Sequence, residues 1–144
     1  MTNKKILLGM LVLVLVFGMT VVGCGTEWED PVIKVQNGTT FQVKSVLIEK
    51  KGGGTYTPIK SDPAGISPDK SKSYQIAAPH EEEGRLSVRV TLIVTLSAVQ
   101  EATITSSDFQ ISAGYETLGS SSAPWNTNLL LSGTDSDSLS LNEI

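Results

Sequence analysis

From residue 86 the chain alternates with a period of two. Leu86, Val88, Val90, Leu92, Val94 and Leu96 fall on one side, and Ser87, Arg89, Thr91, Ile93 and Thr95 on the other. Successive side chains of a strand point to opposite faces, whereas an amphipathic helix needs an apolar residue every three to four positions. This segment can bury one complete apolar row only as a long strand, so any fold that contains it must supply a sheet and a second layer to cover that row.

The rest of the chain is compatible with that demand. Val32 to Val35 predicts an opening strand, and Asn37-Gly38 predicts a hairpin turn because both residues tolerate positive φ. Phe41 to Ile48 returns from it, with Phe41 and Val43 in one parity and Val46 and Ile48 in the other, which requires a bulge near Ser45. Gly52-Gly53-Gly54 turns the chain at a lysine-rich tip, and Tyr56 to Ile59 reads as a short edge strand. Further strands are expected through Tyr74 and Ile76, then over Ala102 to Thr105, Phe109 to Ser112, Asn128 to Leu131 and Ser138 to Leu141. No long amphipathic helix competes. Short strands separated by Gly, Ser, Pro and Asp predict an all-β chain with a single antiparallel β-sandwich over residues 32–144.

The N-terminus is of a different kind. Lys4 and Lys5 precede an apolar stretch, Ile6 to Val22, interrupted only by Gly9, Gly18 and Thr20, and the small residue Gly23 then precedes Cys24, the sole cysteine. Basic, apolar and small-residue segments in that order make a secretory signal, here a cleaved hydrophobic helix over residues 1–23. The stretch is slightly short of the ~20 residues that span a bilayer. Val21-Val22-Gly23-Cys24 resembles the lipobox of bacterial lipoproteins, which runs from an aliphatic residue through a tolerant position to Gly or Ala and then Cys. The resemblance implies peptidase cleavage between Gly23 and Cys24, a diacylglyceryl group on the Cys24 sulfur, and usually an acyl group on the new N-terminus. Two or more chains give lasting attachment, since each buried methylene contributes about 0.8 kcal/mol. The implied location is the exported side of the bacterial cell membrane. Gly25, in place of the aspartate that favours inner-membrane retention in that family, is compatible with an outer membrane or cell surface.

Loss of residues 1–23 removes Lys4 and Lys5 and leaves nine basic against fifteen acidic residues, a net charge of −6. Such a surface repels polyanions, and no basic stripe with interleaved aromatics is present, so nucleic acid is excluded as a partner. No polybasic patch flanks the anchor either, so attachment to the membrane falls to the lipid. Residues 24–31 are expected to be the lipidated N-terminus and a short acidic tether, reaching ~25 Å at about 3.3 Å per residue. Within it Trp28 can rest in the head-group layer, pack on the domain or lie exposed. With its one cysteine lipidated, the domain has no disulfide and depends on burial and sheet hydrogen bonds.

Ile66, Pro68, Ser71, Tyr74 and Ile76 resemble a turn-and-strand pattern of bacterial immunoglobulin-like and fibronectin-like modules, with Asp69 where the pattern has glycine. The resemblance implies an immunoglobulin-like sandwich and carries no binding residues. Trp125 to Leu130 is faintly similar to another piece of such modules, which leaves a degenerate second repeat open.

Motifs for chemistry are sparse. His80 is the only histidine and is followed by Glu81, Glu82 and Glu83, so a two-histidine zinc site cannot form, and the segment reads as an acidic loop. Thr134 to Ser138 alternates hydroxyl and carboxylate oxygens but lacks the glycine and bidentate glutamate of a calcium loop. No nucleophile elbow or phosphate-binding glycine motif is present. The expectation is a non-enzymatic domain without catalytic residues, metal or cofactor. It would bind an envelope or extracellular protein or serve in envelope structure through the loops at residues 50–56 and 119–125. Trp125 and Tyr56 are the candidate contacts, Trp125 being as well suited to a core. The alternative is a small-ligand or carbohydrate-binding accessory lipoprotein, which would need Trp125, Tyr56 and Tyr115 to converge on one cavity.

Overall fold

The computed structural model describes residues 27–80, 83–117 and 120–144. The signal segment, Gly23 and Cys24 lie outside the described residues, as do Glu81 and Glu82. Twelve strands are described: β1 (Glu27–Glu29), β2 (Val32–Asn37), β3 (Gln42–Gly52), β4 (Thr55–Asp62), β5 (Ser71–Gln75), β6 (Leu86–Thr95), β7 (Glu101–Thr105), β8 (Phe109–Ile111), β9 (Gly114–Thr117), β10 (Ser120–Ser122), β11 (Thr127–Ser132) and β12 (Ser140–Glu143). They form a sheet of order β12-β11-β2-β5, a sheet of order β4-β3-β6-β7 with β8 also on β6, and a small sheet β1-β9-β10. The described residues are all-β, and the buried faces of the two larger sheets share one hydrophobic cluster, consistent with a β-sandwich. Among the described residues no helix is long and apolar enough to cross a membrane.

The alternating segment is β6, at the centre of its sheet. Val88, Val90, Leu92 and Val94 are fully buried, each such side chain contributing about 1.5–3 kcal/mol by leaving water. Facing sheet residues Ile33, Val35, Leu129, Leu131 and Leu141 complete the cluster. The parity change in β3 is a bulge where expected, with the β3–β6 register shifting between Val43 and Ser45. Lys44, the bulged residue, is exposed and its Nζ reaches Glu101 at 2.6 Å. A second bulge interrupts the strand opposite β6. Ser106 accepts no place in the ladder, yet its amide donates to Val90 O (2.8 Å) and its hydroxyl receives the Val90 amide (3.0 Å). That closure separates β7 from β8 without leaving the buried amide unpaired.

Asn37-Gly38 does not make a hairpin. β2 pairs with β5 and β11, and β3 belongs to the other sheet, so the chain crosses between layers at this point. Neither residue has positive φ. Asn37 is instead completely buried. Its Nδ2 donates to Phe41 O (2.8 Å) and Ile66 O (3.1 Å), and its Oδ1 accepts from the Thr39 amide (3.1 Å) and hydroxyl (2.7 Å). Gly38 is needed for close approach, because a methyl there would stand 3.0 Å from Leu130 Cδ1 and Leu131 O. The true two-residue hairpin is at Gly53-Gly54, both with positive φ, closing β3 on β4. β4 is an edge strand, longer than expected, and Pro58 is tolerated there for that reason.

Two further departures concern topology. The pairing of β2 with β11 is parallel, so the sandwich is not purely antiparallel. Residues 27–29, within the expected tether, pair with β9 as β1, and Pro31 is buried. In the module-like turn, Asp69 has φ 56°, the one positive-φ residue other than glycine among the described residues. It occupies the third position of a turn closed by Lys70 N to Ser67 O, with Pro68 second, which is where a left-handed residue belongs. The glycine of the pattern and the aspartate here answer the same backbone requirement.

Candidate functional site

The two larger sheets meet edge to edge on both sides of the core, and the two sides differ. On one, β4 and β5 are laced together. Asp62 of β4 accepts from Lys72 Nζ (3.0 Å) and the Tyr74 hydroxyl (2.8 Å) of β5, and from the Ala64 amide (2.9 Å). The Lys72 ammonium is the largest influence holding the Asp62 carboxyl below the usual carboxylate range, with the Tyr74 and Ala64 bonds acting in the same direction and burial opposing them. Burial, and then the bond to Asp62, pushes the Tyr74 phenol well above its ordinary value. This side is closed.

On the other side β12 lies beside β7, and a cleft of about 280 Å³ opens between Ser107, Asp108 and Phe109 of the bulged strand and Leu129, Leu141, Asn142 and Glu143 of β11 and β12. Its floor is apolar and its rim polar and acidic. Neither Trp125, Tyr56 nor Tyr115 lines it.

Tyr56 lies on the outer face of the five-stranded sheet. Lys51 stands opposite it and Glu49 opposite Arg89. The Tyr56 hydroxyl donates to Asp108 at 2.8 Å, Lys51 Nζ donates to the same carboxylate at 3.0 Å, and the Arg89 guanidinium lies 3.4 Å from the Tyr56 ring centre while donating to Glu49 at 2.8 Å. The Lys51 bond is the main cause of a lowered Asp108 carboxyl, and the same bond raises the Lys51 ammonium. Tyr56 is half-buried in this network, so the structure places its polar atom against a neighbour rather than outward.

The other aromatic candidates gather at one end of the molecule. Trp28 pairs with Tyr115 across β1 and β9. Its ring stacks on His80, with centroids 3.1 Å apart and planes 2° apart, and leans on Tyr115 at 5.5 Å. His80 is held by a parallel bridge to Ala113, whose amide donates to Pro79 O. On the opposite side of the same short run, Trp125 N donates to Ser112 O, and the Arg85 guanidinium covers the Trp125 ring at 3.3 Å. Residues 112–115 therefore carry one tryptophan on each flank. Trp28 and Trp125 are 44% and 42% exposed, an unusual openness for this residue and for both of the chain's tryptophans at once. Trp125 thus lies outside the core. His80, Tyr115 and Arg85 were not signalled as its neighbours or those of Trp28, because their sequence separations of 40 to 87 residues carry no periodic mark.

The remaining oxygen-rich segment turns inward on itself. Asp135 Oδ1 accepts from the amides of Asp137 (3.1 Å) and Ser138 (2.9 Å), and Ser138 Oγ accepts from the amides of Thr134 and Asp135. The Ser138 bonds lower the Asp135 carboxyl. Among the described residues no three His, Cys, Asp or Glu side chains stand together as a metal site.

No family model matches the chain, and no curated protein sequence matches it significantly. Among solved structures it is similar to an NMR structure of a protein from Eubacterium rectale, at 15% identity and a TM-score of 0.45, over 78% of this chain and 86% of that one.

Proposed function

We propose that the chain is a bacterial lipoprotein, cut before Cys24 and acylated on that cysteine. Its immunoglobulin-like β-sandwich is held on the exported side of the cell membrane, where it binds a protein or serves in envelope structure without catalysis. The observation that carries this reading is the register of Lys4-Lys5, the apolar run, Gly23 and the single cysteine Cys24. The position of β1 supports it: only Gly25 and Thr26 separate Cys24 from Glu27, so the folded body would sit directly on its anchor. Tyr56, inside an ion-pair network, and Trp125, exposed under Arg85, keep unequal claims as partner contacts, and Trp125 is the better placed.

Among the described residues, the cleft between β8 and β12 is a candidate seat for the small-ligand or carbohydrate alternative, and the one aromatic ring that lines it is Phe109. Sugar-binding surfaces favour larger exposed rings, which this cleft does not offer.

Intact-mass analysis of chain extracted from membranes tests the anchor. The expected mass is that of residues 24–144 plus a diacylglyceryl group and, where the host adds it, an amide-linked acyl chain. Cys24→Ser is expected to be exported but released from membranes, and a Cys24→Ser chain that stays membrane-bound would refute lipidation as the means of attachment.

A further inference from the structure

We infer that the aromatic end of the domain, Trp28 with His80 and Tyr115 on one flank and Trp125 with Arg85 on the other, is a membrane-facing surface that docks in the phospholipid head-group layer. The inference rests on the lipoprotein reading and goes beyond it, since an anchor alone does not fix which face of the domain meets the membrane.

Three observations converge. The first is position. Trp28 is four residues beyond Cys24, so the extended chain holds it within ~14 Å of the acylated sulfur, and the pairing of Trp28 with Tyr115 brings residues 112–115 and hence Trp125 to the same end. The second is chemistry. Tryptophan and tyrosine favour the membrane interface because an apolar ring carries a polar N–H or O–H. The third concerns the two carboxylates of β1 that flank Trp28. In β1 the side chains alternate, so Glu27 and Glu29 project from the face opposite to the one on which Trp28 meets Tyr115. The carboxylates can stay in water while the ring enters the interface.

Zwitterionic lipid is the expected surface. The net charge of the mature chain is −6 by sequence, so anionic lipid should not improve the contact.

Because the chain has two tryptophans, both in this patch, its fluorescence reports the surface directly. Full-length chain purified from membranes would be reconstituted into phosphatidylcholine vesicles carrying bromines near the head groups or near the acyl ends, with its acylation read by mass in the same sample. Trp28→Phe and Trp125→Phe leave one reporter each and keep an aromatic ring at the altered site. The expected result is loss of emission from both reporters with shallow bromines, less loss with deep ones, and protection from aqueous iodide. Acylated chain whose tryptophans are untouched by either bromine and open to iodide would overturn the inference and leave the lipoprotein reading standing. Iodide protection in native membranes that disappears in pure vesicles would also overturn it, in favour of a protein cover. A chain without acyl groups would remove the reading beneath it.

Discussion

Asn37→Ala should be among the most damaging single substitutions in this domain, although it deletes only one small polar group. The side chain is completely buried and makes four hydrogen bonds at the point where the chain passes between sheets. Alanine leaves the Thr39 amide and the Phe41 carbonyl without those partners, whereas Ile66 O keeps its bond from Val43 N at 3.0 Å. Two orphaned groups at about 1–3 kcal/mol each give a loss of roughly 3 kcal/mol, equivalent to a fall in Tm of roughly 10 °C for a domain of this size. Urea denaturation followed by tryptophan fluorescence would show the midpoint falling with the slope m unchanged. Asn37→Asp adds a sign test. A carboxylate facing the Phe41 and Ile66 carbonyls is disfavoured, so its folded pKa lies above the unfolded value and the deficit grows as pH rises above the unfolded reference of ~3.9. A loss under ~1 kcal/mol for alanine, or a pH-independent aspartate variant, would refute the account of Asn37 as the staple of the crossing.

Two other substitutions test geometry and charge separately. Gly65 and Gly84 both have positive φ, but a methyl on Gly65 would collide with Val43 O while one on Gly84 meets nothing within 4 Å. Gly84→Ala should therefore cost only the conformational term of about 1 kcal/mol, and Gly65→Ala clearly more, as compared by thermal melts of the two variants. For Asp62, whose folded pKa is lowered, the stabilisation is present above the unfolded value near ~3.9 and is lost as pH falls through the lower folded one. The urea midpoint should drop on acidification below pH ~4, and Asp62→Asn should flatten that drop while lowering stability at neutral pH by about 1 kcal/mol.

How much of this was legible in the chain can be judged element by element. β6 and the β3 bulge could be read because burial of one face imposes a parity, and a change of parity has one geometric remedy. The Asn37-Gly38 hairpin could not be read correctly, since a turn-forming dipeptide and a buried amide staple have the same letters, and the choice is made by Phe41, Thr39 and Ile66 once the core assembles. β1, β9 and β10 were not foreseen because, unlike the equally short β8 and β12, their sequences Glu27 to Glu29, Gly114 to Thr117 and Ser120 to Ser122 contain no aliphatic residue to mark a buried face. The aromatic end was half visible: Trp28 and Trp125 stood out as residues, but their common location depends on the pairing of β1 with β9 and on the Trp125 amide meeting Ser112.

The parallel pairing of β2 with β11 has a consequence in time. β2 lies inside its sheet between β5 and β11, and the Val32 amide meets the Asn126 side chain across 94 residues of sequence. A chain that emerges from its N-terminus first must hold one side of β2 open, its amides and carbonyls unpaired, until almost the last strand arrives. Non-local closure of this kind slows folding, because loop entropy is lost before the contact repays it. For a chain caught at a surface by its first residues, the final step of folding would be the return of its last residues to the place where it began.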